Sequence, residues 1–415
     1  MTYMQSILGL LVFIGLPFLF SENKKAVSWK KVGVGVLLQV IFALLFLKIS
    51  FLQDFFFALN SIVLMIEKAT SAGASFMFGY LAGGALPFEE TRQGASFIVA
   101  FRVLPIVLVM SALSAVLFHW GVLQFVVSLL SKLLQKFLKI SGVQGLGVAS
   151  NVFLGIVEAP LLVRPYLKNM SRSTLFIIMT AGMATVAGTV MVLYASIISK
   201  VIPNSLGHIL VASLVSTPAA VIIGHLFVPG SDEDLLEGDF TLKRTTQNTM
   251  DALVKGTMEG IQLLFSIVAM IIVLFAIVSL INQVLAFLPE LNGKSITLES
   301  LFSYVLMPFV WMMGIPPAEV AVASELMSTK TVLNEFVSYK KMSSLGTESL
   351  SEKSRLVMTY AMCGFANFAS LGLIVGSLGT LAPERRSEIA KLAFKSLIAG
   401  TIATMMTGAV VNLIL

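Results

Sequence analysis

Long apolar runs separated by short polar loops dominate this chain. A helix needs roughly 20 mostly apolar residues to span a bilayer, and eight stretches meet that length: 4–21, 32–50, 96–118, 173–199, 208–228, 258–288, 354–380 and 388–414. The first stretch lacks the basic start and small-residue cleavage site of a signal peptide, so we expect it to be retained. The pattern therefore predicts an all-α polytopic membrane protein with eight transmembrane helices.

Two further stretches are amphipathic at helical spacing without being good spans. Polar residues recur every three or four positions in 123–140, and polar pairs recur every seven positions in 52–68. Both predict interfacial helices lying at the membrane surface, or helices packed along the bundle; the two alternatives are compatible. The polar segment 230–256 carries an acidic cluster and is predicted to be an aqueous loop between two halves of the chain.

The segment 142–165 is apolar, but glycines and prolines interrupt it and it carries one carboxylate, Glu158. Backbone groups freed from a helix are tolerated in hydrocarbon only where protein or a water-filled cavity satisfies them. A charge at the bilayer centre adds a cost of roughly 3 kcal/mol. A helix that enters the membrane, turns and returns to the same side would bury this broken backbone in protein. We therefore predict a re-entrant helical hairpin.

A second apolar segment, 301–339, repeats this arrangement in the other half of the chain. It is broken at Gly314–Pro317 and carries Glu319, Glu325 and Glu335. Two full spans follow each predicted hairpin, and the extra span 258–288 makes the two units enter from opposite faces. Short, broken segments at corresponding positions of two halves indicate a transporter built from inverted repeats, with its site near the bilayer midplane.

Composition agrees with a membrane protein and removes several function classes. The chain has 415 residues, of which 57% are hydrophobic and 12% charged, about half the charged share of a soluble domain. Its basic residues are scattered and form no patch for nucleic acid. The single cysteine, Cys363, excludes an internal disulfide framework. The sequence lacks zinc-ligand spacings, phosphate-binding loops and nucleophile motifs. It therefore favours neither an intramembrane enzyme nor an organic cofactor. The two broken hairpins favour alternating access over a channel.

The distribution of lysine predicts the orientation. Four lysines between the first two spans (Lys24, Lys25, Lys30 and Lys31) place that loop in the cytoplasm by the positive-inside rule. The N-terminus is then outside, and the chain is expected in a bacterial inner membrane, in contact with lipid. Arg102 stands alone in the third span, and the sequence offers a carboxylate, a lipid headgroup or a scaffold contact as its partner.

Three stretches carry a family resemblance: "GIVEAPLLVRPYLKNMS", "TVLNEFVSY" and "CGFANFASLGLIVGSLGTLAPERR". Together, in this order and spacing, they resemble the concentrative nucleoside transporters in their compact bacterial form. The resemblance implies a homotrimer that moves nucleosides with a coupled cation by an elevator mechanism. It divides the chain into 1–120 (scaffold, spans 1–3), 121–229 (transport domain, first hairpin and spans 4–5), 230–290 (polar loop and scaffold span 6) and 291–415 (transport domain, second hairpin and spans 7–8).

The resemblance also implies a substrate site. Glu335, Asn367 and Ser370 would hold the ribose hydroxyls, because a carboxylate accepts hydrogen bonds with charge-assisted strength and amide and hydroxyl groups both donate and accept. Glu158 at the first hairpin would face the base. Five further residues would line the substrate site: Gly155, Ile156, Val157, Val190 and Phe365. Structural alternatives are a Glu335 carboxylate reaching the interface beside Lys340, and a buried ion pair between Glu158 and Arg164.

One departure from the family pattern concerns the base. Many members place Gln and Ser or Thr where this chain has Ile156 and Val157. Those polar side chains help to read the base, and here two apolar side chains replace them. We therefore expect weaker discrimination between bases by hydrogen bonding, or a shifted base preference.

The resemblance places a cation beside the first hairpin. Asn151 and Thr185 would supply side-chain oxygens, and Leu154 and Val186 would supply carbonyl oxygens. Oxygen donors from broken backbone suit Na⁺, so Na⁺ is the favoured coupling ion. Proton coupling through Glu158 or Glu335 is the alternative, and hydrogen bonds that only pack helices are the structural alternative for Asn151 and Thr185. The same architecture could also carry another polar solute, such as a nucleobase or an amino-sugar.

Overall fold

The computed structural model describes residues 2–91, 96–230, 246–290, 293, 295–346 and 348–415. This part of the chain is helical, without a strand. Its first half contains α1 (Thr2–Leu19), α2 (Trp29–Lys48), α3 (Ser50–Phe78), α4 (Val99–Arg102), α5 (Pro105–His119), α6 (Val122–Leu138), α7 (Gly142–Phe153), α8 (Gly155–Val163), α9 (Arg172–Ala184), α10 (Gly188–Ile198) and α11 (Ser205–Phe227). The second half contains α12 (Thr249–Leu285), α13 (Leu298–Met312), α14 (Val320–Val332), α15 (Glu335–Ser343), α16 (Glu352–Met362), α17 (Phe368–Leu381) and α18 (Arg386–Ile414).

The predicted polytopic membrane protein is confirmed. Within the described residues, six helical stretches are long and apolar enough to cross a bilayer: Trp29–Lys48, Val99–His119, Arg172–Ile198, Ser205–Phe227, Thr249–Leu285 and Pro383–Ile414. The first and seventh predicted spans correspond to shorter apolar helices, Tyr3–Leu19 and Phe368–Leu381. The totals of eight spans and two hairpins stay predictions. The predicted interfacial segments form α3 and α6, and most of the predicted loop at 230–256 lies outside the described residues.

The order of helices repeats in the two halves. From α6 to α11 and again from α13 to α18, one helix is followed by a pair of short helices, a span broken into two helices, and a long helix. The same cap starts both broken spans, because the hydroxyls of Ser171 and Ser351 accept hydrogen bonds from the backbone N–H three residues on. This arrangement agrees with the predicted repeats.

The second hairpin turns at a different place from the predicted one. We expected the break at Gly314–Pro317, but that segment only separates α13 from the hairpin formed by α14 and α15. Gly314 has φ +92° and two prolines follow, which end α13. The reversal lies at Leu333–Asn334, where the Asn334 side chain caps α15 by accepting from the Val337 N–H at 3.0 Å. Glycine and proline visibly interrupt an apolar run, whereas a single capping asparagine does not. The sequence pattern therefore did not reveal this turn.

Helices α5 and α12 form a tightly packed pair. Gly256 and Gly260, one helical turn apart on α12, press against α5, where an added Cβ would lie within 3 Å of Ala112 and Ser111. Small residues at this spacing let two membrane helices approach closely. Beyond this contact, α12 is mostly exposed and presents large apolar side chains, among them Phe265, Ile272 and Leu280.

Helices α1 and α2, which the predicted division groups with span 3, pack mainly against α11 and α18. The fully buried Gln39 of α2 donates to Thr407 Oγ1 of α18 at 3.1 Å, and Thr407 shares a hydrogen bond of 2.9 Å with Ser216 of α11. Polar contacts between buried helices depend on helix register, which hydropathy does not report. The division of the chain into moving and static domains stays a prediction.

Arg102, whose partner the sequence left open, donates to Ser96 Oγ at 3.1 Å and stacks on Phe97, with 5.8 Å from its Cζ to the ring centroid.

Charged side chains connect the loop after α1 to α9 and α18. Glu22 accepts from Arg172 at 3.0 Å and from Lys395 at 2.8 Å. Its hydrogen bond with Arg172, aided by Lys395, lowers the pKa of Glu22 from 4.5 to about 2. A depressed carboxylate pKa contributes stability above the unfolded value of 4.5 that is lost as pH falls towards 2.

We expect Glu22→Gln to lower the unfolding temperature in detergent by about 1–2 °C at pH 7, because partly exposed ion pairs contribute under about 1 kcal/mol. The difference from wild type should shrink as the pH is lowered from 5 to 3. Thermal unfolding followed by tryptophan fluorescence measures both values, and a difference independent of pH would contradict the assignment.

Candidate functional site

Two interrupted helices come into contact in the interior of the protein. The first break, Thr185–Ala187, separates α9 from α10, and the second, Cys363–Asn367, separates α16 from α17. The Phe365 N–H donates to the Thr185 carbonyl at 3.3 Å, so the breaks touch. Gly364 permits this approach, because an added Cβ would lie 2.8 Å from the Met183 carbonyl oxygen. The contact leaves polar backbone in the interior, as in transporters with a midplane site.

The tip of the first hairpin reaches this contact. Helices α7 and α8 meet at Leu154, and Gly155 adopts φ +84°, a left-handed conformation that glycine accepts without strain. An added Cβ on Gly155 would lie 2.5 Å from the Ala187 Cβ and 3.7 Å from the Phe365 ring. The tip is therefore in contact with both breaks.

The second hairpin brings Glu335 to the same place. Glu335 opens α15 and is 2% exposed. Its Oε2 accepts from Asn367 Nδ2 at 2.9 Å, and its Oε1 accepts from the Tyr194 hydroxyl at 2.5 Å. Asn367 in turn caps α17, since its Oδ1 accepts from the Ser370 N–H at 2.9 Å and the Ser370 hydroxyl at 3.1 Å. The three predicted polar residues thus form one buried network.

The two hairpins meet at one short segment. Phe365 lies beside the first hairpin and Asn367 binds the second, with one residue between them. Glu335 is buried and bonded in the interior, which disagrees with the alternative of a carboxylate reaching the interface beside Lys340. Glu158 is partly buried on α8, which packs against α17. In the described part of the chain it forms no ion pair with Arg164, so the other structural alternative finds no support either.

The two apolar residues at the first hairpin tip have different environments. Ile156 is 4% exposed and covers Gly182 of α9, where an added Cβ would lie 2.9 Å from Ile156 Cγ1. Val157 is 41% exposed. Val190 is buried on α10, one helical turn before Tyr194. Of these two positions, Val157 is therefore the more exposed.

The predicted cation ligands also lie together, at the junction of the first hairpin and the first break. Asn151 and Thr185 are each 1% exposed. The Thr185 hydroxyl donates to the Ala181 carbonyl at 2.9 Å and the Asn151 carbonyl at 3.2 Å, and the Asn151 amide donates to Gly147 O at 2.9 Å. Leu154 directly follows α7, and Val186 follows Thr185 in the first break. Hard oxygen atoms in an interrupted backbone fit a monovalent cation better than a transition metal.

Two residues at this site were not predicted. Tyr194 binds Glu335 directly, and Lys330, on α14, is fully buried near it. The spacing of Tyr194 from Val190 is a helical turn, which could have indicated a shared face. For Lys330 the signal was a lone lysine within an apolar hairpin arm, five residues before Glu335.

Comparison with known proteins covers most of the chain. Residues 8–81 and 208–412 match the N- and C-terminal sequence profiles described as Na⁺ dependent nucleoside transporter, and residues 100–201 match a profile described as nucleoside recognition. An uncharacterized transporter of Haemophilus influenzae is 35% identical, with 100% of this chain and 98% of that protein covered. Solute carrier family 28 member 3 of Eptatretus stoutii is 35% identical over 98% of this chain and 60% of its own length.

Solved structures of CNTnw agree with the fold in two states. The inward-facing substrate-bound state has 30% identity and a TM-score of 0.89, covering 100% of this chain and 99% of that one. A doubly substituted CNTnw in an outward-facing state has 29% identity and a TM-score of 0.90, with 100% and 98% covered.

Proposed function

This chain belongs to the concentrative nucleoside transporter family, and from that membership we propose that it is a Na⁺-coupled symporter that imports nucleosides by alternating access. The observation that carries the proposal is the buried network of Glu335, Asn367 and Ser370 at the contact of two broken helices. A membrane protein keeps an ionisable group in its interior at a cost, which marks a functional site.

We propose that the network binds the ribose. An ionised carboxylate can accept two hydrogen bonds from a sugar diol with charge-assisted strength. In the structure Tyr194 and Asn367 occupy one oxygen of Glu335 each, so the arriving hydroxyls would share or replace the Tyr194 bond while Asn367 keeps the carboxylate oriented. Phe365, between the two hairpins, offers its ring to the ligand.

The first hairpin would face the base, with Gly155 bringing the backbone close and Glu158 supplying the charged group. Because Ile156 is turned into the protein and Val157 carries no polar atom, base recognition has few hydrogen-bonding partners here. Each missing hydrogen bond removes about 1 kcal/mol of discrimination.

We therefore expect the kcat/KM values of uridine, cytidine, adenosine and inosine to fall within about tenfold of one another. Val157→Thr restores a hydroxyl at the exposed position and should widen that range, whereas Val157→Ala serves as the apolar control. Uptake of the four radiolabelled nucleosides measures this, and a sharp preference of the wild type for uridine would contradict the expectation.

Cation coupling is proposed at the first hairpin. Na⁺ held by Asn151, Thr185 and the carbonyls of Leu154 and Val186 would hold the hairpin tip against the first break. Because Gly155 of that tip touches Phe365, an ordered tip also completes the substrate site.

The moving parts are also part of the proposal. The α5–α12 pair would form the static scaffold, with the exposed apolar face of α12 joining protomers in a homotrimer. Both hairpins with α9, α10, α11, α16, α17 and α18 would move as the elevator. We add α1 and α2 to this moving unit, because buried hydrogen bonds join Ser6 of α1 to Asn412 of α18 and Gln39 of α2 to Thr407 of α18.

One experiment tests the proposed function: accumulation of uridine and adenosine in proteoliposomes with and without an inward Na⁺ gradient. We expect concentrative uptake only with the gradient. Uptake that survives replacement of Na⁺ by choline and collapses with a protonophore would establish the proton-coupled alternative. If free bases or amino-sugars, and not nucleosides, compete with the labelled substrate for uptake, the transported solute belongs to that other class.

A further inference from the structure

Lys330 lies in the last turn of α14, the first arm of the second hairpin. Its side chain is fully buried, and its Nζ has no hydrogen-bond partner in the part of the chain that the structure describes. Burying an ammonium group without a partner is costly in a low-dielectric interior. An opposite charge nearby lowers that cost.

Glu335 is the group that can provide this compensation. It lies five residues after Lys330, across the reversal at Leu333–Asn334, and the two opposite charges attract each other in the interior. They form no direct ion pair within the described residues; instead, Tyr194 and Asn367 each donate a hydrogen bond to one of the two carboxylate oxygens. The other titratable groups acting on Glu335 are Tyr194, Tyr339 and Cys363, and Lys330 is the one cation of this described set.

We propose that Lys330 is a positioning residue for substrate binding, resting on the proposed function of Glu335. Its fixed charge compensates the carboxylate through space, so Glu335 stays ionised in a dry site without an ion pair on the oxygens that sugar hydroxyls would share with Tyr194 and Asn367. A direct ion pair would occupy those oxygens. Because Lys330 belongs to the same hairpin, the compensation moves with Glu335 whenever the hairpin moves.

The test compares two ligands that differ only in the sugar hydroxyls. In Lys330→Met, which retains most of the apolar stem, we expect uridine to bind at least tenfold more weakly and 2′,3′-dideoxyuridine to bind within about twofold of wild type. Lys341→Met is the matched control, since Lys341 lies in the same hairpin but pairs with Glu325 at the surface; it should leave both ligands unchanged. Equal losses for the two ligands in Lys330→Met would overturn the proposal.

A second measurement needs no nucleoside. Lys330→Met and Glu335→Gln each leave one buried charge uncompensated, whereas the double variant removes both. We expect the double variant to unfold in detergent at a higher temperature than either single variant; additive losses would overturn the proposal. If Lys330→Met does not fold, recovery of folded protein in the double variant supports the pairing and no recovery refutes it. Absence of nucleoside uptake by wild type would refute the proposed function, while this cycle would still decide the pairing.

Discussion

Glu335→Gln is expected to lower the kcat/KM of uridine uptake by about 100-fold or more. The carboxylate would accept two charge-assisted hydrogen bonds from the ribose, each worth about 1.5 kcal/mol or more, and a glutamine retains one neutral acceptor in their place. The substitution also turns a donor towards Asn367 Nδ2 or the Tyr194 hydroxyl, both of which donate to Glu335. Initial rates in proteoliposomes over a range of uridine concentrations measure the effect.

Glu325→Gln is the matched control. Glu325 lies in the same hairpin, but its carboxylate is 53% exposed and paired with Lys341. We expect its uptake to stay within about twofold of wild type, since a surface ion pair contributes under about 1 kcal/mol. Similar losses in both variants would mean that hairpin charge in general, and not the buried network, supports uptake.

Thr185→Val is expected to raise the Na⁺ concentration for half-maximal uptake by about tenfold or more. The change keeps the shape of the side chain and removes the one oxygen atom that Thr185 would offer to the cation. It also removes the hydroxyl bonds to Ala181 O and Asn151 O, so a stability loss of about 1 kcal/mol accompanies it. Uridine uptake as a function of Na⁺ concentration at constant ionic strength, with choline as the replacement, measures the shift.

Thr180→Val separates the cation effect from that stability loss. Thr180 is buried in the same helix, α9, and its hydroxyl donates to Phe176 O at 2.8 Å, but it has no hydrogen bond to the first hairpin among the described residues. We expect the same Na⁺ dependence as in wild type. If the two valine variants respond alike to Na⁺, the hydroxyl of Thr185 is not a cation ligand.

Much of the candidate site could be predicted because its members lie in short distinctive motifs. "NEF" around Glu335 and "CGFANFAS" around Asn367 are far apart in the chain, yet the structure joins them by a hydrogen bond, as the resemblance implied. Tyr194 and Lys330 were not predicted, because a helical-turn spacing from Val190 and a lone lysine in an apolar arm do not by themselves identify the residue that each side chain meets. Their importance comes from the atoms they face, and a one-dimensional pattern does not contain that information.

The turn of the second hairpin illustrates the same limit. Glycine and proline at Gly314–Pro317 were a stronger breaking signal than the asparagine that makes the turn, because Asn334 acts through one side-chain hydrogen bond to Val337. The placement of α1 and α2 was likewise invisible, since Gln39 meets Thr407 across 368 residues of sequence.

The sequence alone shows which segments are apolar enough to enter a membrane, that glycine and proline interrupt two of them near carboxylates, and which motifs accompany them. These features are readable because hydropathy and backbone breaks are local properties of the chain. Only the tertiary structure decided where the second hairpin reverses, which helices α1 and α2 contact, and that Tyr194 and Lys330 surround Glu335. Those features depend on which side-chain atoms meet, from Asn334 and Val337, three residues apart, to Gln39 and Thr407, 368 residues apart. Packing and hydrogen-bond geometry select the partner in each case.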